Sequence, residues 1–185
     1  MSIALVLLAI FSTTFGAIWV AVTPREAKTE RNGVVLGASL ASAVIVWRLL
    51  YLGLYSGVYP AFDLGVASLS LKLALDPLGL TYAVIASTLW VFASVYSLGY
   101  MASSHKQRQY FSFFLLSAGT TLGIAFSGNL FTFYLFYELL TFATYPLVVH
   151  GSSKEALEAG TRYIKYSLVG NGEHCPALGG ALQRI

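Results

Sequence analysis

The chain has 185 residues, of which 57% are hydrophobic and only 10% are charged, whereas soluble domains carry about 25% charged residues. This composition excludes an ordinary soluble domain and is typical of a protein that crosses a membrane several times. The formal net charge of +3 comes from basic residues gathered in a few short segments, which indicates membrane orientation and not nucleic-acid binding. Cys175 is the only cysteine, so the sequence offers no intrachain disulfide and no cysteine framework for an iron–sulfur cluster or zinc.

Five apolar runs are long enough to cross a hydrocarbon layer about 30 Å thick, and a sixth is about half as long. We therefore predict an all-α transmembrane bundle, a single membrane domain over residues 1–170, with five complete spans and a partial sixth. The predicted spans are residues 3–22, 33–55, 78–101, 110–127, 129–149 and 160–170. Residues 171–185 are unlike the rest, and we expect this tail to be truncated or non-native.

The first connection, REAKTERNG, is predicted to be a loop because its charges do not enter hydrocarbon. The second span carries Gly33, Gly37 and Ala41 at four-residue spacing. This spacing predicts the close approach of another helix, unless the small residues are there only because they are apolar. Arg48, inside the same span, either extends its charged head to the membrane interface or forms a buried ion pair.

Between the second and third spans the hydrophobic period changes to two. The alternating residues are Leu69, Leu71, Leu73 and Leu75. This period predicts a short strand, or a hairpin with residues 62–66 that turns near Gly65. An open strand edge is untenable in hydrocarbon, so the segment is expected outside the membrane core. The alternative is an irregular amphipathic loop. Asp76 and Pro77 then predict the start of the third span. In the fourth span, Gly119 and Gly123 predict a second close approach between helices.

Basic residues predict the orientation. They lie in the first, third and fifth connections as Arg25, Lys28, Arg31, Lys106, Arg108, Lys154 and Arg162, while the second connection has only Lys72 and the fourth has none. By the positive-inside rule the odd connections are cytoplasmic, and the N-terminus and the strand segment lie on the outer side of the cell's inner membrane. His105 and His150 then lie by the cytoplasm, as surface groups or in proton uptake.

Glu138 is a carboxylate at the middle of the fifth span, with about ten apolar or aromatic residues on either side. A charged residue such as Asp at that depth costs roughly 2.5 to 3.5 kcal/mol, so it needs a compensating reason. Tyr134, Glu138, Thr141 and Tyr145 follow helical spacing and form one narrow polar stripe, which is expected to face other helices or water. Glu138 is therefore either a functional site or a neutral packing residue.

No cofactor or metal site is predicted in the chain. Glu173, His174 and Cys175 are consecutive and do not converge on one ion as a helix-spaced pair would. The sequence has no dinucleotide fingerprint, and its many aromatic residues are ordinary packing and interface residues of a membrane bundle, not a quinone site. Iron–sulfur clusters, flavin or quinone, if used, would belong to partner subunits.

Residues 75–169 resemble the antiporter-like subunits shared by respiratory complex I, membrane-bound hydrogenases and multisubunit cation/proton antiporters. The resemblance rests on LDPLGL at residues 75–80, on the run RQYFSFFLLSAGTTLGIAFSGNLFTFYLFYELLTFATYPLV at residues 108–148, and on EALEAGTRYIKYSLVG at residues 155–170. It implies that Glu138 is the fifth-helix glutamate of the family, a proton-carrying site coupled to a lysine.

The same resemblance places Arg162 where the family often has that lysine, with Lys165 one turn further. Arginine keeps its proton in proteins, so Arg162 would supply a fixed charge, whereas Lys165 would either titrate or anchor the helix at the interface. The family also has later helices with further lysine and histidine sites. A complete proton path therefore needs another chain, unless this one is a truncated copy.

The resemblance implies a proton-translocating subunit of a redox-driven complex, similar to NADH:quinone oxidoreductase or a membrane-bound hydrogenase. Its partners would be other membrane subunits and hydrophilic redox subunits, and it would carry no catalytic residue of its own. The alternative is a subunit of a multisubunit Na⁺(K⁺)/H⁺ antiporter without redox partners. A third reading is a structural or assembly role in which Glu138 only packs.

Overall fold

The computed structural model describes residues 3–24, 26–57, 61–66, 69–102 and 106–149, and the single positions 158, 160, 162 and 163. Its elements, in chain order, are α1 (Ile3–Val22), α2 (Lys28–Ser56), β1 (Ala61–Val66), β2 (Leu69–Ala74), α3 (Pro77–Tyr100), α4 (Gln107–Ala125) and α5 (Leu130–Val148). The predicted helical architecture is confirmed, and so is a short strand element between the second and third helices.

Three of the described helices are long and apolar enough to cross a membrane: Ile3–Val22, Lys28–Tyr55 and Pro77–Tyr100. The 19-residue helices α4 and α5 lie where the fourth and fifth spans were predicted, and their crossing of the membrane stays a prediction. Of the predicted sixth span, positions 160, 162 and 163 are helical. Its remaining residues and the tail 171–185 lie outside the described residues.

The second helix begins five residues earlier than predicted, at Lys28 instead of Gly33. This charged segment, predicted to be a loop, is helical from Lys28 onward. The start of α2 can be helical because its charged side chains make polar contacts. Arg31 is buried against Gln107, and Glu30 accepts a hydrogen bond from Trp19 Nε1 at 3.4 Å.

The helix α4 is the centre of the bundle. It packs against α1, α3 and α5, while α2 packs against α1 and α3. One buried cluster joins α1, α2, α3, α4 and β2 through residues that include Val6, Val46, Leu73, Ala83 and Leu122. A second cluster lies further along the bundle and includes Val20, Val35, Met101, Phe111 and Leu115. The two clusters hold α4 in place and so position the helix that follows it.

In the second helix the predicted glycines, Gly33 and Gly37, do not make the close contacts between described helices. A Cβ added at Gly33 or Gly37 would meet nothing within 4 Å among the described residues, and Ala41 is exposed. The approach of α1 to α2 instead uses Gly16, where an added Cβ would lie 2.7 Å from Ala38 Cβ. The stripe containing Gly33 thus faces away from the described bundle, because Ala38 is turned about 100° from Gly37 around the helix.

The glycine pair in α4 does make close approaches, but to two different helices. A Cβ at Gly119 would lie 2.8 Å from the hydroxyl oxygens of Thr13 and Thr14 on α1. A Cβ at Gly123 would lie 2.2 Å from the ring of Phe136 on α5. The pair therefore lets α4 sit close between α1 and α5.

The strands β1 and β2 form an antiparallel hairpin with Phe62 opposite Leu73 and Asp63 opposite Lys72. This settles the alternative between a hairpin and an irregular loop. Gly65 does not turn the chain as predicted, because it lies within β1 and pairs with Ser70. The other edge of β2 is covered by the connection between α4 and α5, since Ala74 N donates to Phe126 O at 2.9 Å and Gly128 N to Lys72 O at 2.7 Å. The described connection thus covers this edge of β2 at Ala74 and Lys72.

Two ends of the bundle can now be defined. The hairpin end comprises β1, β2, the start of α3 and the α4–α5 connection. The basic end comprises the end of α1, the start of α2, the end of α3 and the start of α4.

Candidate functional site

The helix α5 is fixed at the hairpin end by Asn129. The Asn129 side chain accepts a hydrogen bond from Thr132 N at 2.8 Å, which caps the helix, and donates one to Ser70 O at 2.6 Å. Thr132 is fully buried, and its hydroxyl accepts a bond from Lys72 N at 2.9 Å. Because Glu138 follows Asn129 by nine residues, it lies about 13 Å along the helix from this anchor.

Glu138 is half-buried, and its Oε2 atom has less than 1 Å² of exposed surface. One oxygen of the carboxyl is therefore enclosed by protein. Two residues earlier, the Phe136 ring packs on Gly123 of α4. The middle of α5 thus lies directly against the central helix of the bundle.

The predicted polar stripe lies on a sheltered side of α5. Thr141 is buried at 4% exposure, and Tyr134 and Tyr145 are half-buried. The exposed large side chains of this helix are different ones: Leu130, Phe133, Tyr137, Leu139, Phe142 and Val148. Thr141 Oγ1 donates to Tyr137 O at 3.2 Å, so its hydroxyl hydrogen is bonded within the helix. The stripe is therefore sheltered, while the aromatic and leucine side chains are exposed as lipid-facing residues would be.

The start of the predicted sixth span packs on the end of α5. A Cβ at Gly160 would lie 2.2 Å from Val149 Cγ1 and 3.0 Å from Tyr145 Cε2, and the Tyr163 hydroxyl lies 3.0 Å from Thr144 Oγ1. Arg162, a predicted charge partner of Glu138, is exposed in the described part of the chain. Lys165, the other predicted partner, lies outside the described residues, as do His105 and His150.

Two polar residues at the basic end escaped the sequence analysis. Arg31 is 2% exposed, and its Nη2 donates to Gln107 Oε1. The Gln107 amide in turn donates to Met101 O and, at 2.8 Å, to Ala102 O. A signal was present in the sequence, since position 31 is on the same helical stripe as the buried residues at positions 35, 39, 42, 46 and 49. Burial was overlooked because Arg31 was counted as an orientation marker in a loop.

Among the described residues no three His, Cys, Asp or Glu side chains are close enough to hold a metal ion. Arg48 is exposed, as expected for a side chain that extends along the helix surface. The side chain of Glu138 belongs to a class that changes charge by taking up one proton, which is the chemistry that proton transfer requires.

Known proteins resemble this chain in sequence and in fold. Residues 62–111 match the family profile described as NADH-ubiquinone oxidoreductase (complex I), chain 5 N-terminus. The Na(+)/H(+) antiporter subunit A1 of Staphylococcus aureus, in strains JH9 and Newman, is 31% identical over 88 residues. That match covers 48% of this chain and 11% of the relative.

A solved structure of the membrane-bound sulfane sulfur reductase, an archaeal respiratory membrane complex, matches with a TM-score of 0.78. The match has 22% sequence identity and covers 93% of this chain and 26% of that one. At this identity the likeness establishes the fold. The chain thus corresponds to a limited part of longer proteins.

Proposed function

We propose that this chain, which is similar to the antiporter-like membrane subunits of complex I, membrane-bound hydrogenases and multisubunit antiporters, moves protons and that Glu138 carries them. The observation that supports this most is the placement of Glu138. Its carboxyl lies halfway along α5 on a sheltered polar stripe, with one oxygen enclosed by protein. An ionisable group in such a position is costly, and membrane proteins ordinarily retain one for function.

The physical mechanism proposed is charge coupling. A cation that approaches a buried carboxyl favours its ionised form, and a cation that withdraws favours proton uptake. In this proposal the cation comes from the region after α5, where Lys165 is the titratable choice and Arg162 a fixed charge. The packing of Gly160 and Tyr163 on the end of α5 supports it, because it brings that region alongside the helix that carries Glu138.

The proposal includes the arrangement of the chain in the membrane. We take α4 and α5 as the fourth and fifth spans, the helical positions 160, 162 and 163 as the start of a sixth, and residues 1–170 as one membrane domain. The basic end is placed at the cytoplasm and the hairpin end on the outer side of the inner membrane, according to the distribution of Lys and Arg. Other membrane subunits, or further chain, complete the proton path.

The driving force is proposed to be redox chemistry in partner subunits that carry iron–sulfur clusters, flavin or quinone. The complex I family profile over residues 62–111 supports this version. The identity of 31% to an Na(+)/H(+) antiporter subunit favours a second candidate, cation/proton exchange without redox partners. Purification of the native complex separates them: copurifying flavin or iron–sulfur subunits support the first, and a complex of membrane subunits alone supports the second.

Replacement of Glu138 by Gln tests the proton site in either candidate. The amide keeps the shape of the side chain but does not carry a proton, so proton movement by the complex in proteoliposomes is expected to fall by about 100-fold, the lower end of what a positioned proton-transfer group contributes. Glu158→Gln is the matched control, because Glu158 is exposed. Both variants are checked for assembly on a native gel. An assembled Glu138→Gln complex that transports at the parent rate would show that Glu138 is a packing residue.

A further inference from the structure

The basic end contains an open cleft of about 1010 Å³ between the end of α1, the start of α2 and the first half of α4. Four basic side chains line one part of it: Lys28, Arg31, Lys106 and Arg108. Apolar side chains line the other part, with Ile18 from α1 and Phe113 and Leu116 from α4. The cleft therefore combines two chemistries in one space.

The two chemistries are arranged along the helix axis. On α4 the lining starts with Arg108 and Gln109, continues through Ser112, and ends with Phe113 and Leu116. These positions span about 12 Å at about 1.5 Å per residue. The charged part thus lies at the helix ends and the apolar part lies deeper in the bundle, as the headgroup and the acyl chains of a membrane lipid do.

Arg31 supplies a specific reason for an anion at the charged part. It is 2% exposed, it lines the cleft, and its Nε has no hydrogen-bond partner among the described residues. A buried donor on a cation that lacks a partner is costly. Glu26 and Glu30 are near in sequence, but no carboxylate is among the described residues that line the cleft. The described lining of the cleft therefore supplies basic side chains and no negative group of its own.

The N-terminal ends of α2 and α4 add to the positive electrostatic potential of the cleft. The N-cap residues of α2 and α4 are Ala27 and Lys106, and neither makes a side-chain cap hydrogen bond. The first N–H of α2 donates to Glu26 O at 2.9 Å, so the contribution of this helix start is the partial positive charge that the helix dipole places there. Both helix starts reach the cleft through Lys28 and Gln107. Backbone and side chains together thus favour a negative group.

We propose that this cleft binds an anionic phospholipid, with its phosphate among Lys28, Arg31 and Arg108 and an acyl chain along Ile18, Phe113 and Leu116. Free phosphate would use the charged part and leave the apolar part empty. A lipid occupies both, and the open side of the cleft gives it access from the bilayer. The lipid holds together the starts of α2 and α4 and does not take part in proton transfer at Glu138.

Lipid retention by the purified membrane complex tests the proposal. The complex is delipidated in mild detergent and titrated with phosphatidylglycerol or with phosphatidylcholine, and bound lipid is counted by native mass spectrometry. We expect selective binding of phosphatidylglycerol. The double variant Lys28→Gln, Arg108→Gln is expected to bind it about 30-fold more weakly, since one basic residue near a membrane surface contributes about fivefold. Arg48→Gln is the matched control, because Arg48 is an exposed arginine of α2 that does not line the cleft.

The same lipid titration can also give results that contradict the proposal. Equal retention of the two lipids by the parent complex would overturn the proposal. This measurement requires no variant. An equal loss in the Arg48→Gln control and in the double variant, or unchanged binding in both, would also overturn it. If glycerol 3-phosphate displaces the lipid at comparable concentration, the cleft is a site for soluble anions and not for a phospholipid.

Discussion

The two ends of the bundle begin their helices in different ways. At the hairpin end, α3 and α5 start with Asp76 and Asn129, whose side chains accept bonds from Gly79 N at 3.3 Å and Thr132 N at 2.8 Å. At the basic end, α2 and α4 start with Ala27 and Lys106, which make no side-chain cap bond. The pairing of charged side chains also differs between the two ends. Lys72 pairs with Asp63 at 3.1 Å at the hairpin end, whereas no described carboxylate lines the cleft at the basic end.

This difference shows which end is structurally complete within the described residues. At the hairpin end β2 is bonded on both edges, to β1 on one side and to the α4–α5 connection on the other. The basic end gathers positive charge, its helices start without side-chain caps, and it is where we propose that an anion binds. Substitutions at the hairpin end should therefore affect the stability of the chain itself, while substitutions at the basic end should affect what it binds.

The largest effect is expected from Gly79→Ala. An added Cβ at this position would lie 2.2 Å from the carbonyl oxygen of Ala125, so α3 and the last turn of α4 have to separate. We expect the free energy of unfolding in detergent to fall by about 3 kcal/mol or more, the upper end for overpacking. Gly33→Ala is the matched control near the basic end, since nothing lies within 4 Å, and it should be neutral or stabilising by up to about 1 kcal/mol. Equal effects of the two substitutions would contradict the comparison.

An intermediate effect is expected from Asn129→Ala. The substitution removes the cap of α5, which costs about 1 kcal/mol, and the bond to Ser70 O, which costs about another 1 kcal/mol. Asn129→Asp should keep the cap but place a carboxylate oxygen against the Ser70 carbonyl oxygen, so it should still cost at least the about 1 kcal/mol of the lost donated bond. Hydrogen exchange of the β2 amides provides the second readout. Unchanged protection of β2 in Asn129→Ala would show that the hairpin does not depend on α5.

The smallest effect is expected from Lys72→Gln. The side chains of Lys72 and Asp63 are each 47% exposed, and a surface ion pair contributes at most about 1 kcal/mol. The difference in unfolding free energy between parent and variant should shrink further at high salt, because exposed charges are screened. A loss above about 2 kcal/mol would mean that the ion pair, and not the backbone network, holds the hairpin.

The sequence was informative where a residue pattern has a single local cause. A period of two predicted the strands, and Asp76 followed by Pro77 predicted the start of α3, because these signals concern neighbouring residues. The position of Glu138 within an aromatic helix was equally visible. Its sheltered side is now described, while its role as a proton carrier stays a proposal.

The sequence was uninformative where the partner is distant along the chain. Whether a glycine makes a close contact depends on which helix lies opposite, so Gly16 was overlooked and the two interpretations of the stripe at Gly33 stayed open. Arg31 was taken for a loop residue, because its partner Gln107 is 76 residues away. Gly65 was taken for a turn, although it can also occupy a strand. For the helix glycines and for Arg31 the deciding contact was tertiary, whereas Gly65 pairs with Ser70 within its own hairpin.

The central claim is that the Glu138 carboxyl gains and loses a proton while the complex works. Infrared difference spectroscopy of the energised native complex measures this directly, because a carboxylic acid and a carboxylate absorb differently. We predict a carboxyl difference band in the parent and in Glu158→Gln that is absent in Glu138→Gln. The same band in an assembled Glu138→Gln complex would contradict the claim and assign the proton to another group.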